Sequence, residues 1–227
     1  MSQLRSFDAA LVELQRAIVV MGGVVEQILS LAVTSIQQPT AQRRQEAAVI
    51  EERVDDMEIE IEERCNQLLV LQSPMGKDLR FLISTTRVAS ELERIADLAE
   101  SVVKRSDFIA RHQLVANPPQ LQTLGELAQL MVHQALESLL SGKVEMARTI
   151  HEEEVRADAL TKECYAFIQA AMEGSRSDIV AYTHLLRAVG HLEHIADISG
   201  TIAGEAVYIY RGLFIRHNPN HTLGGSP

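Results

Sequence analysis

A six-residue motif occurs twice in this chain, and the second copy lies 100 residues after the first. Residues 92–97 read LERIAD and residues 192–197 read LEHIAD, so the copies differ only at Arg94 and His194. The helical segments that lead up to each copy match in order and type. A repeat of this length is too long for the unit of a small solenoid. We therefore interpret it as a duplicated three-helix unit and expect two similar subdomains.

Prolines and glycines divide the chain into six helical segments. Proline lacks the amide hydrogen that a helix interior needs, and glycine commonly ends a helix. Only 4% of the residues are aromatic and none is Trp, and this composition favours an all-α bundle. Segments this long, joined by short loops, are expected to pack antiparallel. The predicted helices span residues 4–37, 41–71, 77–113, 119–141, 143–173 and 177–211.

The domain organisation follows from the breaks and the repeat. The first three-helix repeat is predicted at residues 1–114 and the second at residues 115–212. Residues 213–227, which are rich in Gly, Pro and Asn, are predicted to be a disordered tail. Apolar residues recur every seven positions in the third helix, as expected for a one-sided core stripe. These residues are Phe81, Val88, Ile95, Val102 and Ile109.

Charge and composition exclude several classes of partner. The chain has 31 acidic and 21 basic residues, a net charge of −10, which argues against a nucleic acid and against an acidic membrane surface. Cys65 and Cys164 lie far apart without CxxC spacing, so we expect reduced, packed thiols. The longest apolar run, residues 17–25, is too short to span a bilayer, and no signal peptide precedes it. A soluble cytoplasmic protein is expected.

Acidic residues stand four apart in each copy of the motif and again in the preceding helix. This spacing places two carboxylates on one helix face, where like charges repel unless a cation lies between them. Two such pairs on neighbouring helices would surround one point with four carboxylates, a site for a hard or borderline cation. The candidate metal ligands are Glu51, Asp55, Glu93, Asp97, Glu154, Asp158, Glu193 and Asp197.

Other interpretations of these acids remain open. Residues 46–63 contain nine acids, so the spacing of Glu51 and Asp55 alone also suits a solvated face. Glu154 lies in register with an apolar stripe, and a buried carboxylate there needs a partner. Arg94 offers an ordinary salt bridge to a neighbouring acid. Three histidines of the last helix could approach the second site but are more often surface or core residues: His184, His191 and His194.

Catalytic motifs are missing from the sequence. It contains no P-loop, no GxGxxG and no nucleophile elbow. A di-iron enzyme of the ferritin type needs Glu followed by His three residues later, and the chain has no such pair. The Gly22-Gly23 pair lies within a helix, which indicates close helix packing rather than a nucleotide loop. We therefore expect a protein that is not an enzyme and has no catalytic residues.

Several segments resemble the PhoU family. They are residues 21–27, which read MGGVVEQ, Cys65 followed by Pro74 and then Asp78-Leu79-Arg80, and the paired LE(R/H)IAD motifs. The resemblance covers residues 5–212. It implies two three-helix bundles related by a pseudo-two-fold axis, often assembled as a homodimer.

The resemblance also implies a function and a ligand set. It implies a cytoplasmic negative regulator of the phosphate-starvation response, which links the ATPase subunit of a phosphate ABC transporter to a sensor histidine kinase. Association with the membrane would occur only through these partners. The family's (E/D)xxxD motifs imply multinuclear iron or zinc on the eight acids named above, whereas carboxylates alone leave Mg, Mn, Ca or no metal open. The alternatives are a helical metal-binding or storage protein without signalling, and a plain helical scaffold.

Overall fold

Six α-helices make up the computed structural model of the chain, which describes residues 2–111, 116–174 and 178–213. Within these ranges there is no β-strand, so the all-α prediction is confirmed. The helices are α1 (Ser2–Gln37), α2 (Ala41–Gln72), α3 (Gly76–Ala110), α4 (Gln120–Ser141), α5 (Met146–Gly174) and α6 (Ile179–Arg211).

The helix ends show why the chain breaks where it does. Thr40 caps α2, because its side chain accepts a hydrogen bond from the Arg43 amide at 3.2 Å. Ser73 ends the same helix in the left-handed region with φ 44°. Gly142 and Gly212 end α4 and α6 with φ of 71° and 72°, a conformation that glycine adopts without the steric cost of a Cβ.

One helix boundary differs from the sequence prediction, and other predicted boundaries lie outside the described residues. α5 begins at Met146 rather than 143, because a turn follows Gly142, in which the Val144 amide bonds the Gly142 carbonyl at 2.9 Å. The predicted end of the third helix and the predicted border at residue 114 fall on residues 112–115, which lie outside the described residues. The predicted tail does too, except for Leu213.

The six helices pack as two three-helix bundles. Helices α1, α2 and α3 contact one another, and α4, α5 and α6 do the same. The bundles join through α3 against α6, the most extensive helix pair, and through α1 against α4. Helices α2 and α5 therefore lie on the outside, each packed on two helices of its own bundle. Fully buried side chains such as Leu92, Ile95, Met131, Leu192 and Ile195 fill the core.

Two polar contacts across the α3–α6 interface reveal the internal symmetry. Ser84 donates a hydrogen bond to the buried Glu205 at 2.7 Å, and Arg105 contacts Nδ1 of His184 at 3.4 Å. Ser84 and His184 are 100 residues apart, and so are Arg105 and Glu205. Each contact thus joins the same two equivalent positions of the repeat, with the contributing helices exchanged. A pseudo-two-fold axis between α3 and α6 produces this arrangement.

Helix α1 is a core helix with a long apolar stretch. Its residues Phe7–Gln37 are long and apolar enough to cross a membrane by length and composition, with a mean hydropathy of 1.9 over 18 residues. Half of that window is buried inside the bundle, and core helices of soluble proteins have the same property. The sequence prediction considered only the shorter run at 17–25, and cytoplasmic localisation stays a prediction.

Close packing of α1 on α4 depends on one glycine of the Gly22-Gly23 pair. A Cβ at Gly22 would stand 3.0 Å from both δ carbons of Leu136, whereas a Cβ at Gly23 would meet nothing within 4 Å. The predicted close approach is therefore confirmed for Gly22 only. The two cysteines are buried and free, as expected for packed thiols.

We expect Gly23→Ala to raise the free energy of unfolding by about 0.5–1 kcal/mol, because alanine is the better helix former. Gly22→Ala has the same helix preference, but its Cβ pushes against Leu136, so the gain should be smaller or lost. Urea denaturation measures both variants. In a Leu136→Ala background the difference between the two substitutions should shrink. Equal gains in the native background would contradict the packing explanation.

Candidate functional site

The predicted acids of the first half face each other across the contact between α2 and α3. Glu51 and Asp97 each place a carboxylate oxygen within 4.8 Å of the other and of a carboxylate oxygen of Glu100. Asp55 and Glu93 lie close enough to Asp97 for its charge to raise the pKa of both. We call this group, with the members added below, the first acidic cluster.

Two further acids belong to the first acidic cluster and were missed in the sequence. Glu100 is only 5% exposed and bonds Lys104 Nζ at 2.5 Å, and the charge of Glu58 raises the pKa of Glu93. Glu58 and Glu100 each follow a predicted pair by three residues, a spacing that keeps them on the same helix face. That spacing was the available signal.

The second acidic cluster lies between α5 and α6. Asp158, Glu193 and Asp197 bring carboxylate oxygens within 4.8 Å of one another. Glu154 lies beside them, and its Oε2 is 2.8 Å from Nδ1 of His151. Glu154 is only partly buried, with 26% of its side chain exposed, and its partner is His151, one turn away on the same helix. All eight predicted acids lie in two clusters, while their role as metal ligands stays a prediction.

The two clusters are not equivalent. Thr161 and Gly200 occupy the register positions that Glu58 and Glu100 hold in the first half. A Cβ at Gly200 would stand 1.7 Å from Oε1 of Glu154, so Glu154 lies directly over the glycine. The first cluster thus has six carboxylates, and the second has four together with the imidazole of His151.

Burial and the repulsion of neighbouring carboxylates raise the pKa values of several carboxyl groups in the two clusters. The pKa of Glu93 rises to about 7, first because burial removes water and then because Glu58 and Asp55 lie nearby. Burial is also the largest cause for the other shifted members, and neighbouring carboxylates add to it. The pKa is raised from its ordinary value for Glu51, Asp55, Glu154, Glu193 and Asp197.

One atom of the first acidic cluster tests whether these residues suit a cation. Oδ1 of Asp55 is buried and has no hydrogen-bond partner among the described residues. A buried carboxylate oxygen without a donor is costly, and a cation would satisfy it. The donor set also fits, because carboxylate oxygens suit hard cations and an added imidazole suits zinc or iron.

The basic residues around the clusters separate into different roles. Arg94 Nη1 lies 3.9 Å from Glu91, which is the ordinary salt bridge considered from the sequence. Of the three histidines of α6, His194 lies near the second acidic cluster, since its charge lowers the pKa of Asp197. His184 instead contacts Arg105 of α3.

Comparisons with known proteins agree with this architecture. A family model described as the PhoU domain matches residues 18–106 and 121–206. The phosphate-specific transport system accessory protein PhoU homolog of Pseudomonas aeruginosa is 26% identical over 94% of this chain and 88% of its own length. The corresponding Escherichia coli protein is 27% identical over 93% and 88%.

Solved structures are similar as well. The crystal structure of PhoU from Pseudomonas aeruginosa superposes with a TM-score of 0.85 at 26% identity, covering 91% of this chain and all of that one. The phosphate transport system regulatory protein PhoU from Streptococcus pneumoniae superposes with a TM-score of 0.84 at 26% identity, covering 92% and 99%.

We expect the metal-free protein to lose stability as the pH rises from about 4.5 to about 7. The folded pKa of Glu93 is about 7 against an ordinary 4.5, so the unfolded chain releases this proton first and folding is favoured while Glu93 stays protonated. Thermal midpoints of chelator-treated protein across this range measure the loss. Glu93→Gln should flatten the slope, whereas Glu63→Gln, at an exposed position of α2, should not. Identical slopes for wild type and Glu93→Gln would contradict the assignment.

Proposed function

Because the chain belongs to the PhoU family, we propose that it is an accessory protein of a phosphate-specific transport system and a negative regulator of the phosphate-starvation response. The observation that carries the proposal is the domain match in both halves of the chain. Relatives matched over nearly their full length are named as accessory proteins of that system. In the finer proposal, the protein couples the ATPase subunit of a phosphate ABC transporter to a sensor histidine kinase.

Coupling of this kind needs only differential binding. An accessory protein changes the state of a transporter or kinase if it binds one state of that partner more tightly than the other. The chain therefore acts without catalysing a reaction, as a cytoplasmic protein that reaches the membrane through its partners. We propose that the protein assembles as a homodimer.

We further propose that the acidic clusters bind metal cations. The first acidic cluster, with only oxygen donors and the unpaired Oδ1 of Asp55, suits a hard cation such as Mg, Mn or Ca. The second, with His151 beside Glu154, suits iron or zinc. A bound cation would supply positive charge that cancels the repulsion between carboxylates. The acids of α2 and α5 would then hold the outer helices firmly against α3 and α6.

The unpaired oxygen of Asp55 also supports a second candidate function, metal binding or storage without signalling. Protein purified without added metal should contain bound metal, which inductively coupled plasma mass spectrometry detects. The variant Glu93→Gln/Asp97→Asn should lose the metal bound by the first acidic cluster. The variant Glu193→Gln/Asp197→Asn should lose the metal bound by the second. The matched control is Glu60→Gln/Glu63→Gln, which removes two exposed acids of α2. Equal metal content in all four proteins would remove the ligand assignment.

Deletion of the gene should derepress phosphate uptake and alkaline-phosphatase expression in phosphate-rich medium, because the negative regulator is lost. Both activities are measured in the deletion strain and after complementation with the full chain. A pull-down with purified kinase and transporter ATPase tests the contacts. Unchanged phosphatase expression on deletion would refute the regulatory role, whereas metal content without that phenotype would favour the storage alternative.

A further inference from the structure

A basic pocket with a volume of about 290 Å³ lies where the start of α2 and the end of α3 meet the start of α6. It belongs to neither acidic cluster, although one of its residues, Lys104, forms an ion pair with Glu100 of the first acidic cluster. In a chain with a net charge of −10, a concentration of cations in one pocket is notable. The lining residues that matter here are Arg44, Lys104, Arg105, Asp107, Arg111 and His184.

The cations of this pocket outnumber the carboxylates that they contact. Lys104 bonds Glu100 at 2.5 Å. Arg44 and Arg111 share one oxygen, Oδ2 of Asp107, at 3.5 and 2.5 Å. Arg105 forms no ion pair with a described acid. Four positive charges thus meet two negative ones, a surplus that equals the charge of a dianion.

Arg105 is the group that most needs a ligand. Its Nε is buried and has no hydrogen-bond partner among the described residues, which costs free energy for a charged donor. Burial lowers the pKa of Arg105, and the charge of Arg187 lowers it further. Nearby, Nε2 of His191 is also buried without a described partner. An anion in the pocket would offset the repulsion and accept from the unpaired donor.

We propose that this pocket binds a phosphoryl oxyanion, either inorganic phosphate or the phosphoryl group of a phosphomonoester. The planar guanidinium fork of arginine matches two oxygens of a tetrahedral phosphate. Both arginines that bond Asp107 use Oδ2, which leaves Oδ1 to accept the proton of monohydrogen phosphate. Sulfate has no such proton, so the carboxylate repels it. The pocket's chemistry is independent of the regulatory role proposed above.

Isothermal titration of inorganic phosphate into the full chain at constant ionic strength tests the proposal. Arg105→Gln should weaken phosphate binding by roughly 10–100-fold, because the charge-assisted hydrogen bonds of one guanidinium are lost. Arg105→Lys, which keeps the charge and loses the fork, should fall between. The matched control is Arg148→Gln on α5, whose side chain is 74% exposed, and it should bind as wild type does.

Parallel titrations with phenyl phosphate and sulfate identify the ligand. Tighter binding of phenyl phosphate assigns the pocket to a phosphomonoester, and tighter binding of phosphate assigns it to the free ion. If Arg105→Gln does not fold by circular dichroism, Arg44→Gln/Arg111→Gln, whose side chains are 51% and 62% exposed, must lower affinity instead. The proposal is overturned if wild type binds neither phosphate, if sulfate binds as tightly, or if the folded pocket variants bind as wild type does.

Discussion

The burial of α3 against α6 is the contact on which the remaining structure depends. It joins the two bundles, and its apolar residues determine which way every other side chain on these helices points. Leu92 and Ala96 are fully buried, so Glu93 and Asp97, each the next residue and about 100° further around the helix, are turned towards α2. The pseudo-two-fold axis repeats the arrangement for the second copy of the motif. The apolar interface thus positions both acidic clusters without containing them.

The helices, the duplication and the grouping of the predicted acids could be predicted because they depend on the spacing of residues along the chain. Prolines and glycines marked the helix ends, and the motif repeated after 100 residues marked the duplication. The four-residue spacing of the acids placed them on one face of each helix. Only the assumption that α2 packs beside α3, and α5 beside α6, was needed to bring eight carboxylates into two groups.

The remaining features depend on tertiary packing or on departures from the repeat. Glu58 and Glu100 were missed because the second half has Thr161 and Gly200 at these positions, so comparison of the copies conceals them. The basic pocket draws Arg44 and Arg105 from segments about 60 residues apart in the chain. No spacing rule links such residues before the helices are packed. The extent to which α1 is buried was likewise not readable from its apolar run.

The outer position of α2 has a further consequence for the energy landscape of the chain. Only four of its 32 residues are buried, compared with sixteen in α3, and its inner face carries half of a six-carboxylate cluster. Because α2 buries little apolar area and several like charges lie between it and α3, α2 forms a unit of partial unfolding. Its amides should exchange with deuterium before those of α3. Cations bound between the two helices would prolong the protection of these amides.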